Sequence, residues 1–84
     1  ITEIDLIADD VTDEDFLTVC NYLVDSKIKQ IYLDYNKITD KGMDELIQAK
    51  KDLKGIQINL KGNNISKEIQ ERVSEAYPEA TWVF

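Results

Sequence analysis

Apolar and polar positions recur along this chain in three segments with the same order. Each segment is centred on a leucine that follows an isoleucine by two positions and precedes a polar residue by three and an aliphatic residue by five. The four columns are Ile4, Ile31 and Ile58; Leu6, Leu33 and Leu60; Asp9, Asn36 and Asn63; and Val11, Ile38 and Ile65. Because the columns repeat every 27 residues, the pattern indicates a repeat architecture.

Within each segment the spacing of apolar residues changes from that of a strand to that of a helix. Alternation, as at Ile31 and Leu33, predicts a strand with one buried face. The following stretches carry apolar residues on one helical stripe. These predicted helices cover about residues 13–24, 40–51 and 67–77. A hydroxyl residue precedes each helix, where its oxygen can accept from free backbone N–H groups; these residues are Thr12, Thr39 and Ser66.

The last residues predict a closing strand. Pro78 cannot continue the third helix, and Trp82 and Phe84 alternate with Val83. We expect this short strand to cover the final open edge. The sequence therefore predicts an α/β fold in one domain, residues 1–84, with three strand–helix coils. We call them the first, second and third coil, at about residues 1–27, 28–54 and 55–84.

The chain resembles the leucine-rich repeats, and within them the ribonuclease-inhibitor-like subclass. Residues 31–49, IYLDYNKITDKGMDELIQA, carry the likeness most closely, with Asn36, the Ile-Thr-Asp step and Gly42. The resemblance implies a right-handed solenoid with a parallel sheet on its concave side and helices outside. It also implies a structural ladder in which Asn36 and Asn63 bond the backbone of adjacent coils. Asp9 stands in the same column and is assigned to the same ladder, although it departs from the pattern because a carboxylate accepts and does not donate.

The first residues suggest two readings of the chain. Ile1 is expected to lie in the first strand with no polar capping segment ahead of it, whereas terminal repeats normally present a polar outer surface. One reading is that the chain is the C-terminal part of a longer solenoid. The other is that something else covers the first strand.

Nearly all of the net charge of −7 belongs to the first coil. Residues 1–27 carry eight acids against one lysine, residues 28–54 five acids and six lysines, and residues 55–84 four acids and three bases. Such a field opposes nucleic acid, whose binding requires neutralisation of phosphates, and favours a basic protein partner. The alternative is that the acids maintain solubility and that those at 13–15 favour a helix N-terminus.

Residues typical of catalytic or metal centres are scarce. The chain has no histidine, the commonest general base and metal ligand, and its three glycines form no phosphate-binding motif. Cys20 lies on an apolar stripe, which predicts a packing role. Asp34, Asn36 and Glu45 fit part of a calcium-loop spacing, but Thr39 stands where that loop requires glycine. We therefore predict a non-enzymatic protein without cofactor or metal.

The sequence also bears on location. It contains no run of about 18 apolar residues that would predict a membrane span, and its first residues have no signal-peptide pattern. A single cysteine is typical of a reducing compartment. We expect a cytoplasmic or otherwise intracellular protein with no membrane partner.

The strand alternation also predicts which side chains face away from the helices. The three outward rows are Glu3, Asp5 and Ile7; Gln30, Tyr32 and Asp34; and Gln57, Asn59 and Lys61, with Tyr35 at the end of the second row. Tyrosine is enriched among interface hot spots because it combines a large area with few rotamers. Alternatively, the two tyrosines only pack on neighbouring side chains.

The leading hypothesis is a protein-interaction module that binds a protein through the concave strands. The proposed contacts are Glu3, Asp5, Tyr32, Asp34, Tyr35, Asn59 and Lys61. A second hypothesis is a structural subunit or the C-terminal cap of a larger repeat protein or assembly. A third follows only from the resemblance, since some members of the family inhibit nucleases or stimulate small GTPases; fold by itself does not settle function.

Overall fold

Strands and helices alternate along the whole of the described chain. The computed structural model describes residues 2–84, so the expected strand position of Ile1 lies outside the described residues. The elements are β1 (Glu3–Asp5), α1 (Asp13–Leu23), β2 (Gln30–Tyr32), α2 (Asp40–Ala49), β3 (Gln57–Asn59), α3 (Lys67–Ala76) and β4 (Thr81–Val83). The predicted α/β class is confirmed. Each helix begins at the predicted residue and ends one or two residues earlier than predicted.

The four strands form one parallel sheet in the order β1-β2-β3-β4. Ile4 pairs with Ile31, Ile31 with Ile58, and Ile58 with Trp82. The isoleucine column of the sequence is therefore one row across the sheet, and Trp82 continues it in the closing strand. Each helix provides the crossover that parallel neighbours require.

Polar side chains define where the helices begin. At α1, Thr12 and Asp15 form a reciprocal capping box, in which each side chain accepts from the backbone N–H of the other. At α2 and α3 the caps are Thr39 and Ser66. The predicted hydroxyl caps are thus confirmed at all three helices.

The core lies between the sheet and the helices. From the sheet it receives fully buried side chains such as Leu33 and Ile58, and from the helices Phe16, Met43 and Val73. α1 packs on α2 and α2 on α3. Because the buried strand residues all meet this one cluster, the helices cover one side of the sheet and leave the other without helices.

The turn that follows each of the first three strands repeats a left-handed backbone conformation. Ala8, Tyr35 and Gly62 have φ values of 52°, 59° and 78° and stand 27 residues apart. A residue with positive φ turns the backbone at the end of the strand, so that the Asp or Asn of the repeat follows without a longer loop. The repeat is therefore present in the backbone as well as in the side chains.

The helices are short and amphipathic, with 11, 10 and 10 residues. One stripe of each faces the core and the opposite side is polar. Among residues 2–84, no helix has the length and apolar character needed to cross a membrane.

Candidate functional site: the helix-free face

One side of the sheet carries no helix, and we call its outward side chains the helix-free face. They are Glu3, Asp5, Ile7, Gln30, Tyr32, Asp34, Gln57, Asn59, Lys61, Thr81 and Val83, with Tyr35 at its margin. All seven predicted contact residues lie on or beside this face. Glu3, Asp5 and Lys61 are exposed, while Tyr32, Asp34 and Asn59 are half-buried.

The strand register brings these side chains into rows that cross the sheet. Asp5 stands beside Tyr32, Tyr32 beside Asn59, and Asn59 beside Val83. The two polar residues that flank Tyr32 have contacts of their own: Asp5 Oδ1 accepts from the N–H of Ile7 at 3.0 Å, and Asn59 Oδ1 accepts from Gln57 Nε2 at 3.1 Å. Tyr32 is therefore the aromatic residue between two polar side chains that are held by hydrogen bonds.

The next row contains Asp34 between Ile7 and Lys61. The 27-residue offset continues beyond the named strands, because Ala8 N–H donates to Asp34 O at 2.9 Å and Tyr35 N–H donates to Lys61 O at 2.8 Å. Asp34 Oδ1 is buried and has no hydrogen-bond partner, and no other buried side-chain nitrogen or oxygen in residues 2–84 shares this state. Lys61 forms no ion pair within the same residues.

Tyr35 combines internal packing with exposure. Its ring lies against Gly62, where an added Cβ would come within 2.3 Å of the ring carbon Cδ1. Gly62 also has a φ of 78°, so a larger residue there would meet both the ring and backbone strain. Tyr35 is nevertheless 59% exposed. One side of the ring is fixed by the protein, and the rest is exposed to solvent.

Behind this face, Asn36 joins the first and second coils. Its Oδ1 accepts from the N–H groups of Asp9 at 2.8 Å and Val11 at 2.9 Å. Its Nδ2 donates to the carbonyls of Leu6 at 2.8 Å and Leu33 at 2.9 Å. Only an amide can both accept and donate in this way.

Asn63 has the same position between the second and third coils. Its Oδ1 accepts from Ile38 N–H at 3.0 Å, and its Nδ2 donates to Leu33 O at 2.8 Å and Leu60 O at 3.0 Å. The assignment of Asp9 to the ladder needs correction. Its carboxylate is exposed and forms no hydrogen bond within residues 2–84; Asp9 takes part through its backbone N–H alone, since a carboxylate has no donor for a carbonyl.

A second ladder was missed in the sequence. Asp13 accepts from Thr39 N–H at 2.7 Å and from Thr39 Oγ1 at 2.6 Å, and Asp40 accepts from Ser66 N–H at 2.7 Å. Each acid thus bonds the N-cap residue of the helix in the following coil. Gly42 makes room for the first contact, since a Cβ there would lie 2.5 Å from Asp13 Oδ1.

A signal for this second ladder was present. A hydroxyl residue followed by aspartate occurs at residues 12–13 and recurs 27 positions later at 39–40, whereas residues 66–67 are Ser-Lys. The charge pattern by itself predicts only a role in solubility and at the helix N-terminus for Asp13. The contact with Thr39 gives it a structural role between coils.

Buried groups near the helix ends hold the third coil in place. Tyr77 receives a hydrogen bond from Lys51 N–H at 2.9 Å and donates to Leu46 O. Burial raises the pKa of the Tyr77 hydroxyl, against the opposing effect of the Lys51 N–H. Trp82 Nε1 donates to Tyr77 O at 3.3 Å. Trp82 therefore packs toward the core, as a closing residue would.

The chain offers little for catalysis or metal binding. Cys20 is buried, and desolvation raises the pKa of its thiol to about 12, so the reactive thiolate is scarce. Hollows on the described surface measure from about 190 Å³ beside the end of α3 to about 390 Å³ between α3 and Phe84, so the largest reaches only the lower end of typical small-molecule sites of roughly 300–1,000 Å³. Within residues 2–84 no group of three or more His, Cys, Asp or Glu side chains could hold a metal ion.

Comparison of the chain with protein-family models, with curated proteins and with solved structures gave no match. Function is therefore inferred from the residues and geometry of this chain. Its most distinctive surface is the helix-free face, where aromatic and charged side chains meet on a backbone fixed by two ladders.

Proposed function

We propose that this chain is a non-enzymatic protein-binding module of the leucine-rich-repeat type, similar to the ribonuclease-inhibitor-like subclass. Its helix-free face would be the concave binding surface. The observation that carries the proposal is the clustering of Tyr32, Tyr35 and Asp34 on a helix-free sheet, with the Asp34 carboxylate incompletely bonded. The partner is a protein.

The repeat scaffold supports this proposal. The 27-residue period of the sequence coincides with the strand register, with the bonds of Asn36 and Asn63 between coils, and with the left-handed turn residues. Stacked units of this kind present a continuous strand surface for partners. This coincidence of period, register and ladder supports a solenoid rather than another parallel α/β arrangement.

The chemistry of the face favours a basic partner. Glu3 and Asp5 are exposed on β1 and Asp34 lies on the second coil, whereas Lys61 is the one cation on the described face. An acidic surface attracts a basic one and increases the rate of encounter, an effect that falls as salt rises. The exposed tyrosine provides apolar area for the bound complex.

The decisive experiment compares the tyrosines of the helix-free face with a tyrosine on a helix. A partner is first isolated from cell extract with the 84-residue protein, and affinity is then measured by calorimetry. Replacing Tyr32 and Tyr35 together by alanine should weaken binding on the order of 100-fold, as for two hot-spot residues. Tyr22→Ala is the control, because Tyr22 is 70% exposed on α1.

Thermal unfolding of each variant checks that the fold is retained. Unchanged affinity in the folded double variant would show that the partner does not use the helix-free face. An equal loss in Tyr22→Ala would place the contact on the helices instead.

A second candidate is a structural subunit whose first strand is covered within an assembly. Ile4 and Leu6 are only half-buried, whereas their equivalents Ile31 and Leu33 are completely buried. Among the described residues no strand pairs with the outer edge of β1, and open edges favour association. Sedimentation and urea unfolding would test this: a monomer with one cooperative transition argues against it.

A further inference from the structure

We propose that the outer edge of β1 binds an extended protein segment in which one apolar residue stands between two basic residues. The segment would add a strand to the sheet, with its apolar side chain on the side of the helices and its basic side chains on the helix-free face. This inference goes beyond the proposed function, because the ligand is held by the backbone of the first coil and by a hollow behind it. It also specifies the chemistry of the cover that the second candidate function requires.

The outer edge of β1 is unpaired among residues 2–84, since β1 is the first strand in the sheet order. On its inner edge, Leu6 N–H donates to Tyr32 O of β2 at 2.8 Å. Successive residues of a strand direct their N–H and C=O groups to opposite sides, so the backbone groups of Glu3 and Asp5 point outward. Exposed groups of this kind pair with an added strand.

One side chain limits the length of this open edge. Ile7 N–H is the next outward donor after that of Asp5, and it already donates to Asp5 Oδ1 at 3.0 Å. The edge is therefore open over Glu3–Asp5, a length of three residues that is shared by all four strands of the sheet. A ligand of three extended residues matches it.

Behind this edge, the core of the first coil is incompletely covered. Ile4 and Leu6 are half-buried, whereas Ile31 and Leu33, which follow them by 27 positions, are completely buried. Ile4 itself shows what covers such a position, since it pairs with Ile31 across the sheet. An apolar residue in the same relation to Ile4 would continue the row and remove more apolar surface from water.

A hollow of about 380 Å³ would receive this apolar side chain. It lies between β1 and the C-terminal end of α1, and its lining residues are Ile4, Tyr22, Ser26, Lys27 and Ile28. Tyr22 is 70% exposed and would gain cover from an occupant. Lys27 opposes a basic side chain at this position, because like charges repel. The central residue of the ligand is therefore apolar.

The helix-free side of the same edge selects basic neighbours. Glu3 and Asp5 are exposed there and form no ion pair within residues 2–84. In an added strand, the residues on either side of the apolar one stand beside these acids, where opposite charges favour pairing and like charges oppose it. The same acids disfavour a second copy of β1 as the added strand, because its own acids would then stand beside them.

The test uses the complete 84-residue chain and the peptide acetyl-Gly-Thr-Lys-Leu-Lys-Thr-Gly-amide. Binding is followed by the backbone amide signals of the protein in ¹⁵N NMR titrations and by amide hydrogen exchange. The peptide should shift the signals of Glu3, Ile4 and Asp5 in a saturable way. At a peptide concentration of about ten times the dissociation constant, exchange of the Asp5 N–H should slow about tenfold, because the bound state protects it.

Modified peptides separate strand pairing from attraction between charges. Exchanging each lysine with the neighbouring threonine keeps the composition and moves both lysines to the other side of the strand, which should weaken binding about fivefold. N-methylation of the leucine, or of the lysine that follows it, removes one N–H. Because these two N–H groups point to opposite edges of the peptide, one methylated peptide should lose about fivefold in affinity and the other should stay within about twofold.

Matched variants of the protein test the acids of the edge. Glu3→Gln together with Asp5→Asn should lower the affinity for the peptide about fivefold or more, while the new amide keeps an oxygen acceptor for Ile7 N–H. Glu68→Gln together with Glu71→Gln removes two charges from exposed positions on α3 and should leave the affinity within about twofold. Thermal unfolding of each variant checks that the fold is retained.

Any of four results would overturn the inference. They are no saturable shift at Glu3–Asp5, equal binding of the peptide and its lysine-exchanged isomer, equal affinity of the two methylated peptides, or equal weakening by the two pairs of charge substitutions. The peptide is measured without the partner of the helix-free face. Its failure would therefore leave the proposed function to be decided by the variants of Tyr32 and Tyr35.

Discussion

Asn36 and Asp34 stand two residues apart, and their side chains are in opposite bonding states. The amide of Asn36, between the first two coils, bonds five backbone groups of the turn residues and strands around it. The carboxylate of Asp34, on the helix-free face, has a buried oxygen without a partner. The difference teaches that the amide between the coils is used for the fold, whereas the Asp34 carboxylate on the face forms no hydrogen bond within residues 2–84.

The largest effect is expected when an asparagine is replaced by aspartate in the ladder and, for comparison, on the helix-free face. Asn36→Asp removes the only donors of the side chain and places a carboxylate against the carbonyls of Leu6 and Leu33. We expect the free energy of unfolding to fall by about 3 kcal/mol, because buried acceptors lose their partners and meet a charge. Urea unfolding at neutral pH measures the change.

Asn59→Asp is the matched control. Asn59 Oδ1 accepts from Gln57 Nε2, and a carboxylate keeps that acceptor on the half-buried face. The free energy of unfolding should therefore change by no more than about 0.5 kcal/mol. Similar losses in the two variants would show that the face and the ladder do not differ as described.

The next prediction concerns the acid ladder near the helix starts. Gly42→Ala puts a Cβ 2.5 Å from Asp13 Oδ1 and should displace the carboxylate from Thr39, which loses two short bonds. The expected loss is about 2 kcal/mol, after the gain of up to about 1 kcal/mol from the higher helix propensity of alanine.

A double-mutant cycle tests the cause of this loss. In an Asp13→Ala background the carboxylate is gone and only the Cβ of residue 13 remains, 3.0 Å from the added Cβ at position 42, so Gly42→Ala should destabilise by clearly less than in the parent protein. Additive effects of the two substitutions would rule out the proposed clash. Asp13 would then no longer count as a contact that joins the first and second coils.

The fold was predictable from the sequence because its signals repeat. Ile4, Ile31 and Ile58 fixed the sheet row, and the spacing from Thr39 to Met43 fixed the start of a helix. These are short-range patterns of burial and capping. They recur in three copies, so that an error in one copy is corrected by the others.

The site was predictable only in outline. Strand alternation identified the outward positions of Tyr32 and Asp34, because side-chain direction follows from strand geometry alone. Whether the Asp34 oxygen has a hydrogen-bond partner depends on the directions of the neighbouring side chains. The role of Asp13 depends on the approach of Gly42 from another coil, and a sequence shows such long-range contacts only when their column is compared across copies.

The smallest expected effect concerns Cys20, an ionisable residue in the apolar core, where burial disfavours the charged form. Burial raises the pKa of Cys20 to about 12 from an ordinary value of 9.0, so the folded protein keeps the thiol proton at a pH where the unfolded chain releases it. The stabilising contribution is complete below pH 9 and is lost as pH rises toward 12. Between pH 9 and 10 the free energy of unfolding should fall by about 1 kcal/mol through this group.

The control for this prediction is Cys20→Ala, which removes the titrating group. Its absolute stability will be lower because a small cavity forms, so the slopes of unfolding free energy against pH are compared rather than the values. The variant should lack the part of the slope that Cys20 contributes, while the contribution of Tyr77, whose pKa burial also raises, is common to both proteins. Identical slopes would mean that the thiol is solvated in the folded state. Cys20 would then no longer support the contrast between a core that excludes charged groups and a helix-free face that carries them.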